Sequence, residues 1–266
     1  MYLGLAWHFW NTRWRKAGSL ARPADGPAGL SGWERAAILA PLLLHGWLLY
    51  DWMRANELRF GFAQALSVMM FIGVALYWIE SLFYDVDGMQ PLVLPLAALA
   101  APLPALFPGL ALAGAHAQAA EFKLHLGLAM IAYGLFVIAL LHATLMAVAE
   151  RQLHRKGSLA FPNLPPLLTL ETLLFRMIGA AFVFLTLTLA TGIAFSETLF
   201  GRALSFDHKT VFALLSWLTF GLLLAGRWRY GWRGRTALRW TLTGFVMLLF
   251  AYVGSRFVLE VLLGRS

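Results

Sequence analysis

Long uncharged runs separated by short basic clusters set the pattern of this chain. A helix that crosses hydrocarbon needs about 20 mostly apolar residues, with slack where flanking Lys or Arg reach back to the interface. On that measure the pattern predicts about eight transmembrane helices, at residues 2–12, 36–53, 60–79, 89–108, 124–149, 177–196, 210–226 and 240–259. The fold class is all-α, and residues 1–266 form one polytopic helical bundle. The first run is too short to span. It reads either as the tail of a helix whose start is missing or as an interfacial anchor, because Trp7, His8, Trp10 and Trp14 suit an interface. The fourth run, 88–120, is too long for one crossing. Pro91, Pro95, Pro102, Pro104 and Pro108 punctuate it, which predicts a kinked helix ending near Phe107 and an extramembrane stretch to Ala120.

Composition agrees with a lipid solvent. Of 266 residues, 60% are hydrophobic and 13% charged, about half the charged share of a soluble domain. The 21 Lys and Arg outnumber the 13 Asp and Glu, but the excess lies in short loops between apolar runs. That placement speaks for membrane topology rather than for nucleic acid. With eight crossings, fourteen of the 21 basic residues fall on one side. The richer side is cytoplasmic by the positive-inside rule, which puts both termini on the non-cytoplasmic side. The stretch GWRGRTALRW, residues 231–240, alternates Trp with Arg and reads as a cytoplasmic interfacial anchor; beside a spanning helix this outweighs an RNA-binding reading. Residues 17–31 are the one Gly/Pro/Ala-rich flexible loop. There are no cysteines, which excludes thiolate chemistry, disulfides, Cys-ligated metals and covalent attachment of a c-type haem to this chain.

Ionisable groups at membrane depth are candidates for function. Seven histidines are present, and a lone membrane His is usually satisfied by a neighbouring helix, so the test is whether several share one depth. His125 and His208 each open a helix on the outer side. His45 lies six residues before Asp51, about 9 Å deep. Arg256 is near the outer end of the last helix, and His116 is in an outward loop. Imidazoles and a cation at one level suit haem, a planar dianionic ligand that takes axial His, an apolar slot and cations for its propionates. Phe136 lies about 20° from His125 around its helix and Tyr133 about 80°. Such an aromatic face serves as core packing or as a cofactor wall. His142 is about 25 Å further along and cannot share an iron with His125; it reads as a packing or second-site residue. His154 and His8 read as solvated or interfacial. Glu80, Asp85 and Asp87 sit at a helix end and read as solvated. No zinc-protease, phosphate-loop or nucleophile-elbow pattern occurs, so the chain carries no signature of an enzyme.

Three stretches resemble a known family. His125 to Val137 is similar to the His-x7-Tyr-x2-Phe segment of the cytochrome c assembly family, the CcsA-like haem-handling membrane proteins. FDHKTVFALLSWLTF, residues 206–220, resembles that family's W-D-P-K-E-T-W-x-L-x-x-W segment, with Asp207, Lys209, Leu214 and Trp217 matching and Phe206 and Phe212 in place of tryptophans. YVGSRFVLEVLL, residues 252–263, looks most like the smaller HemX/YpjD-type branch. The resemblance implies a multi-pass protein of the bacterial inner membrane with a role in cytochrome c maturation or haem metabolism. Its implied partners are lipid, haem and other proteins of those pathways. The cofactor would be non-covalent haem b. His125 matches the first of two outward haem-binding histidines; the position of the second reads Ala225-Gly226-Arg227, and the Trp-rich loop is reduced to residues 196–206. His208, where the family has proline, is our own choice of second ligand. His45 is its substitute, and Arg256 with Lys209 would neighbour the propionates. Three other readings stand beside this one. They are a ligand-free scaffold regulating a haem-pathway enzyme, a transporter of ions or small solutes, and an electron-transfer cytochrome.

Overall fold

The computed structural model describes residues 1–15, 29–54, 59–86, 88–111, 119–153, 165–200 and 208–262. His116, His154, Asp87, Asp207, residues 201–206 and most of the 17–31 loop lie outside the described residues.

The molecule is almost entirely helical. In chain order come α1 (Tyr2–Phe9), α2 (Gly32–Arg54), β1 (Arg59–Phe60), α3 (Phe62–Phe83), α4 (Gln90–Ala100), α5 (Leu103–Leu106), β2 (Leu110–Ala111), α6 (Ala120–Leu153), α7 (Leu167–Phe200), α8 (His208–Tyr230) and α9 (Gly234–Leu249). A wide, π-type turn over Trp10–Arg15 extends α1. Further π turns around the short helix α10 (Ser255–Phe257) carry α9 on to Leu262. Among the described residues six helices are long and apolar enough to cross a membrane: α2, α3, α6, α7, α8 and the continuous run Gly234–Leu262. Gln90–Leu106 is a shorter apolar helix, and its break after Ala100 falls between the prolines that foretold it. The helix stops at Phe107.

Several helices outrun their uncharged windows. α6 and α7 each have 34 residues, because charged residues beyond the apolar stretch are neutralised in pairs rather than ending the helix. Arg235 reaches Glu150 at 3.6 Å. Glu171 takes Arg227 at its first oxygen, with Arg233 at 3.8 Å. Near the start of α2, Glu34 accepts two hydrogen bonds from Arg13 at 2.9 and 3.0 Å and two more from the Ser31 backbone and hydroxyl at 2.8 Å.

The core lies along α3, α4 and α6, where Val74, Tyr77, Val93, Leu94, Phe136 and Ile138 are fully buried. The outward faces of α2, α7 and α8 expose Leu43, Trp47, Leu187, Leu218 and Leu222. Such a surface would aggregate in water and is ordinary against lipid tails. Lipid is as apolar as a core, so the helices are drawn together by close packing rather than by hydrophobic burial. Gly134 shows this: a Cβ there would stand 2.4 Å from Ile72 Cγ2, so α3 and α6 approach at a distance that glycine permits.

One end of the bundle is tied by short polar contacts. β1 and β2 pair antiparallel, Arg59 with Ala111 and Phe60 with Leu110. Gln64 accepts from the Gly61 N–H at 3.0 Å and donates to the Phe107 carbonyl at 3.1 Å. Gly109, at φ 75°, passes so close to Gln64 and Gly61 that no side chain fits. The Glu260 carboxylate accepts from the Phe62 backbone N–H, capping the N-terminus of α3.

Candidate functional site

The candidate residues are spread over four elements: His45 on α2, His125, Tyr133 and Phe136 on α6, His208 and Lys209 on α8, and Arg256 on α10. His125, in the second turn of α6, is half-buried against α7: its Nδ1 lies 3.1 Å from Thr191 Oγ1, and its ring stands 3.2 Å from where a Cβ on Gly192 would be. The single hydroxyl proton of Thr191 already points to backbone, toward the Leu187 carbonyl at 2.8 Å and that of Thr188 at 3.0 Å. With its proton there Thr191 accepts from the ring, and the Thr188 backbone carbonyl is a further acceptor for the same imidazole; an Nδ1–H anchored in this way leaves Nε2 with the lone pair. Metal-binding imidazoles are fixed in the same way, with the non-ligating N–H anchored to the protein.

His208 is the exposed first residue of α8, with no side-chain hydrogen bond among the described residues. Its level follows from a stacked pair deeper in the bundle. Phe136 of α6 and Phe220 of α8 lie 3.9 Å apart, centroid to centroid, at 19°. Both helices run from the Ala120/His208 end. His125 is eleven residues above Phe136 and His208 twelve above Phe220, about 17 and 18 Å along their axes. On straight, parallel helices those rises would bring the two histidines to about one level. His208 sits about 120° around α8 from Phe220, on a different side of its helix from the one facing α6.

His45 is buried between α1, α2 and α3 instead. Its Nε2 is 2.9 Å from Ser67 Oγ and its Nδ1 3.5 Å from the Tyr2 hydroxyl. Tyr2 and Phe71 meet its ring edge-on. Tyr133 is buried, and its hydroxyl donates to the Leu248 carbonyl at 2.6 Å, where α9 gives way to the π turn and ordinary helical pairing shifts. Phe136 is fully buried in the stack with Phe220. Arg256 lies over the Tyr252 ring at 5.8 Å and neighbours Glu260. Lys209 is half-buried beside His208. Of the matched motif, Trp217 stacks on Phe182 and donates to Thr186 Oγ1 at 2.9 Å, which ties α8 to α7.

His125, held through Nδ1, is a donor of the kind that a haem iron takes. Among the described residues no group of three or more His, Asp or Glu side chains converges, whereas haem asks the protein for one or two imidazoles.

Two residues escaped the sequence reading. Thr191 has no distinguishing signal within a run of threonines on α7. Glu80 was expected to be solvated, and the structure corrects this: it is 5% exposed and faces His142, with Glu80 Oε2 3.4 Å from His142 Nε2. A search for partners of His142 that included carboxylates at its level would have found it.

Known proteins bear on this geometry. The cytochrome C assembly protein family matches residues 35–263. The inner membrane protein YpjD of Escherichia coli is 34% identical over 138 residues, 52% of each chain. The cytochrome c biogenesis protein CcsA of Chlamydomonas reinhardtii is 30% identical over 144 residues, 54% of this chain and 40% of that one. An uncharacterized 28.8 kDa protein of Azospirillum brasilense is 35% identical over 142 residues, 53% of this chain and 52% of its own. The chain spans about half the length of the curated relatives it matches. No solved structure matches it. With most of its length covered by one family, this multi-pass membrane protein belongs to the cytochrome c assembly family.

Proposed function

We propose that this protein binds haem non-covalently near the outer leaflet of a bacterial inner membrane and serves cytochrome c assembly or haem handling. The observation that supports it most is the anchoring of His125, whose Nδ1–H is held by α7 while Nε2 keeps its lone pair. His208, at the same level, is the second axial ligand in this reading. His45 substitutes only by giving up Ser67 and Tyr2. Tyr133 and Phe136 form the aromatic floor, and Arg256 and Lys209 are the cations near the propionates. Bound haem would supply a redox-active iron; the chain's own groups supply ligation, an apolar surround and charge balance. In the same reading α1 and α4–α5 complete eight crossings, with both termini on the non-cytoplasmic side.

The test is an absorption spectrum of the protein purified from haem-replete cells. A sharp Soret band in the wild type that disappears in both His125→Ala and His208→Ala is expected. A colourless wild type, or a band indifferent to His125, overturns the reading.

One observation favours a second role, as a scaffold for a haem-pathway protein. At the α8–α9 turn Trp228 is 89% exposed and Tyr230 74% exposed, beside Arg227 and Arg233, which are fixed by Glu171. A rigid aromatic and basic corner of that kind suits a partner or lipid headgroups. A colourless protein that retains a cytoplasmic partner would favour this role.

A further inference from the structure

We propose that Glu80 of α3 and His142 of α6 form a binding site for a single proton inside the bundle, independent of any haem. His142 donates its Nδ1–H to the Ile138 carbonyl at 2.9 Å, so Nε2 is the nitrogen that faces Glu80, 3.4 Å from Oε2. His142 is wholly buried and Glu80 nearly so. Neither carboxylate oxygen and not Nε2 has any hydrogen-bond partner among the described residues. Each therefore has only the other to satisfy it.

Without a proton between them, a carboxylate would confront an imidazole lone pair, two acceptors in an apolar setting. That arrangement carries an uncompensated buried charge. With two protons an imidazolium would be stranded beside a neutral acid. With one, the pair is neutral overall and makes a hydrogen bond, whether the proton sits nearer Oε2 or Nε2. Occupancy by one proton is thus the state that the surroundings favour.

Charged groups on the neighbouring elements do not compete. On α2, Glu34 is taken by Arg13 and Ser31; Arg35 makes no ion pair among the described residues. On α7, Glu171 holds Arg227, and Arg176 donates to the Tyr84 hydroxyl at 2.7 Å. On α6, Glu150 meets Arg235 of α9, while Arg151 is exposed, as is Arg239 of α9. After α3, Asp85 is exposed. Tyr77, one turn before Glu80, is the other titratable group on α3. None of these reaches the pair within ion-pair distance.

The proton has a short way to travel. Glu80 is three residues from the last residue of α3, about 4.5 Å along the axis, so exchange with water occurs at that end and changes no bond but the O–H or N–H itself. Occupancy governs whether α3 and α6 attract or repel at this point, and α6 also carries His125 about 25 Å away.

The experiment compares thermal unfolding of wild type and Glu80→Gln in lipid nanodiscs from mildly acidic to alkaline pH. The folded pair holds a proton that the separated side chains have released once pH is above the ordinary histidine value of about 6.5. Wild-type folding is then expected to weaken about tenfold in equilibrium constant per pH unit on the alkaline side. Glu80→Gln, whose amide donates to Nε2 without an exchangeable charge, should lose that slope. An equal slope in both proteins overturns the proposal. Should the variant not fold, the wild type decides alone through the nitrogen NMR signal of His142 and the infrared carboxyl band. A protonated carboxyl or an imidazolium at neutral pH supports the site. A neutral imidazole with every buried carboxyl ionised overturns it.

Discussion

The Thr191 hydroxyl is one of two α7 groups that hold the His125 ring, and its part can be tested without touching the histidine. Thr191→Val keeps the shape and removes the hydroxyl acceptor, leaving the Thr188 backbone carbonyl as the ring's remaining partner, so the ring is held less firmly. Groups that orient a metal's ligands are typically worth about 10–100-fold in affinity. Haem titration of Thr191→Val should show weakening of that order, with thermal stability close to wild type because Thr191 lies on a partly exposed face. An unchanged titration would mean that the Thr191 contact does no positioning. By contrast, His45 has polar partners at both nitrogens. Its depth in the sequence matched the other imidazoles, but depth alone says nothing about which neighbours a ring turns to.

At the level of elements, helix ends were harder to read than helix existence. Hydropathy located each of the six long helices because a span must be apolar whatever surrounds it. It stopped short on α6 and α7 because charges such as Glu150 and Glu171 look like terminators until their arginines on α8 and α9 are seen. The Glu80–His142 pair was illegible for the same reason: it joins residues 62 positions apart on two helices, and no periodicity within either helix records the neighbour. The prolines of α4 and α5 were legible since their effect is local. Close contact of α3 with α6 rests on Gly134, where a Cβ would meet the branched Ile72 side chain at 2.4 and 2.7 Å. Gly134→Ala should destabilise the protein by about 1–3 kcal/mol, as overpacking does. Ile72→Ala in the same chain should recover a good part of that loss. Additive losses in the double variant, measured by thermal unfolding, would show that the two helices do not meet there.

For the whole molecule, the open quantity is orientation, and the charge distribution makes a definite statement about it. Basic residues gather at the end that carries the α8–α9 turn, where Arg227 and Arg233 surround Glu171, while the end carrying β1 and β2 has few. A bilayer resists moving such clusters across during insertion, so the orientation proposed above has the basic end on the cytoplasmic side. The absence of cysteine from the whole chain gives a direct way to check this, since any introduced thiol is the sole one. Tyr230, 74% exposed at the basic end, and Met53, 58% exposed near the end of α2, are at opposite ends of the bundle. A membrane-impermeant maleimide applied to intact cells with a permeable outer envelope should label Met53→Cys. It should label Tyr230→Cys only after the inner membrane is opened. The reverse pattern would put His125 and His208 on the cytoplasmic side, where haem could still bind but could not be presented to cytochromes assembled outside. Labelling thus separates the proposed ligation, which rests on His125 of α6 and His208 of α8, from the direction in which the bundle would offer it.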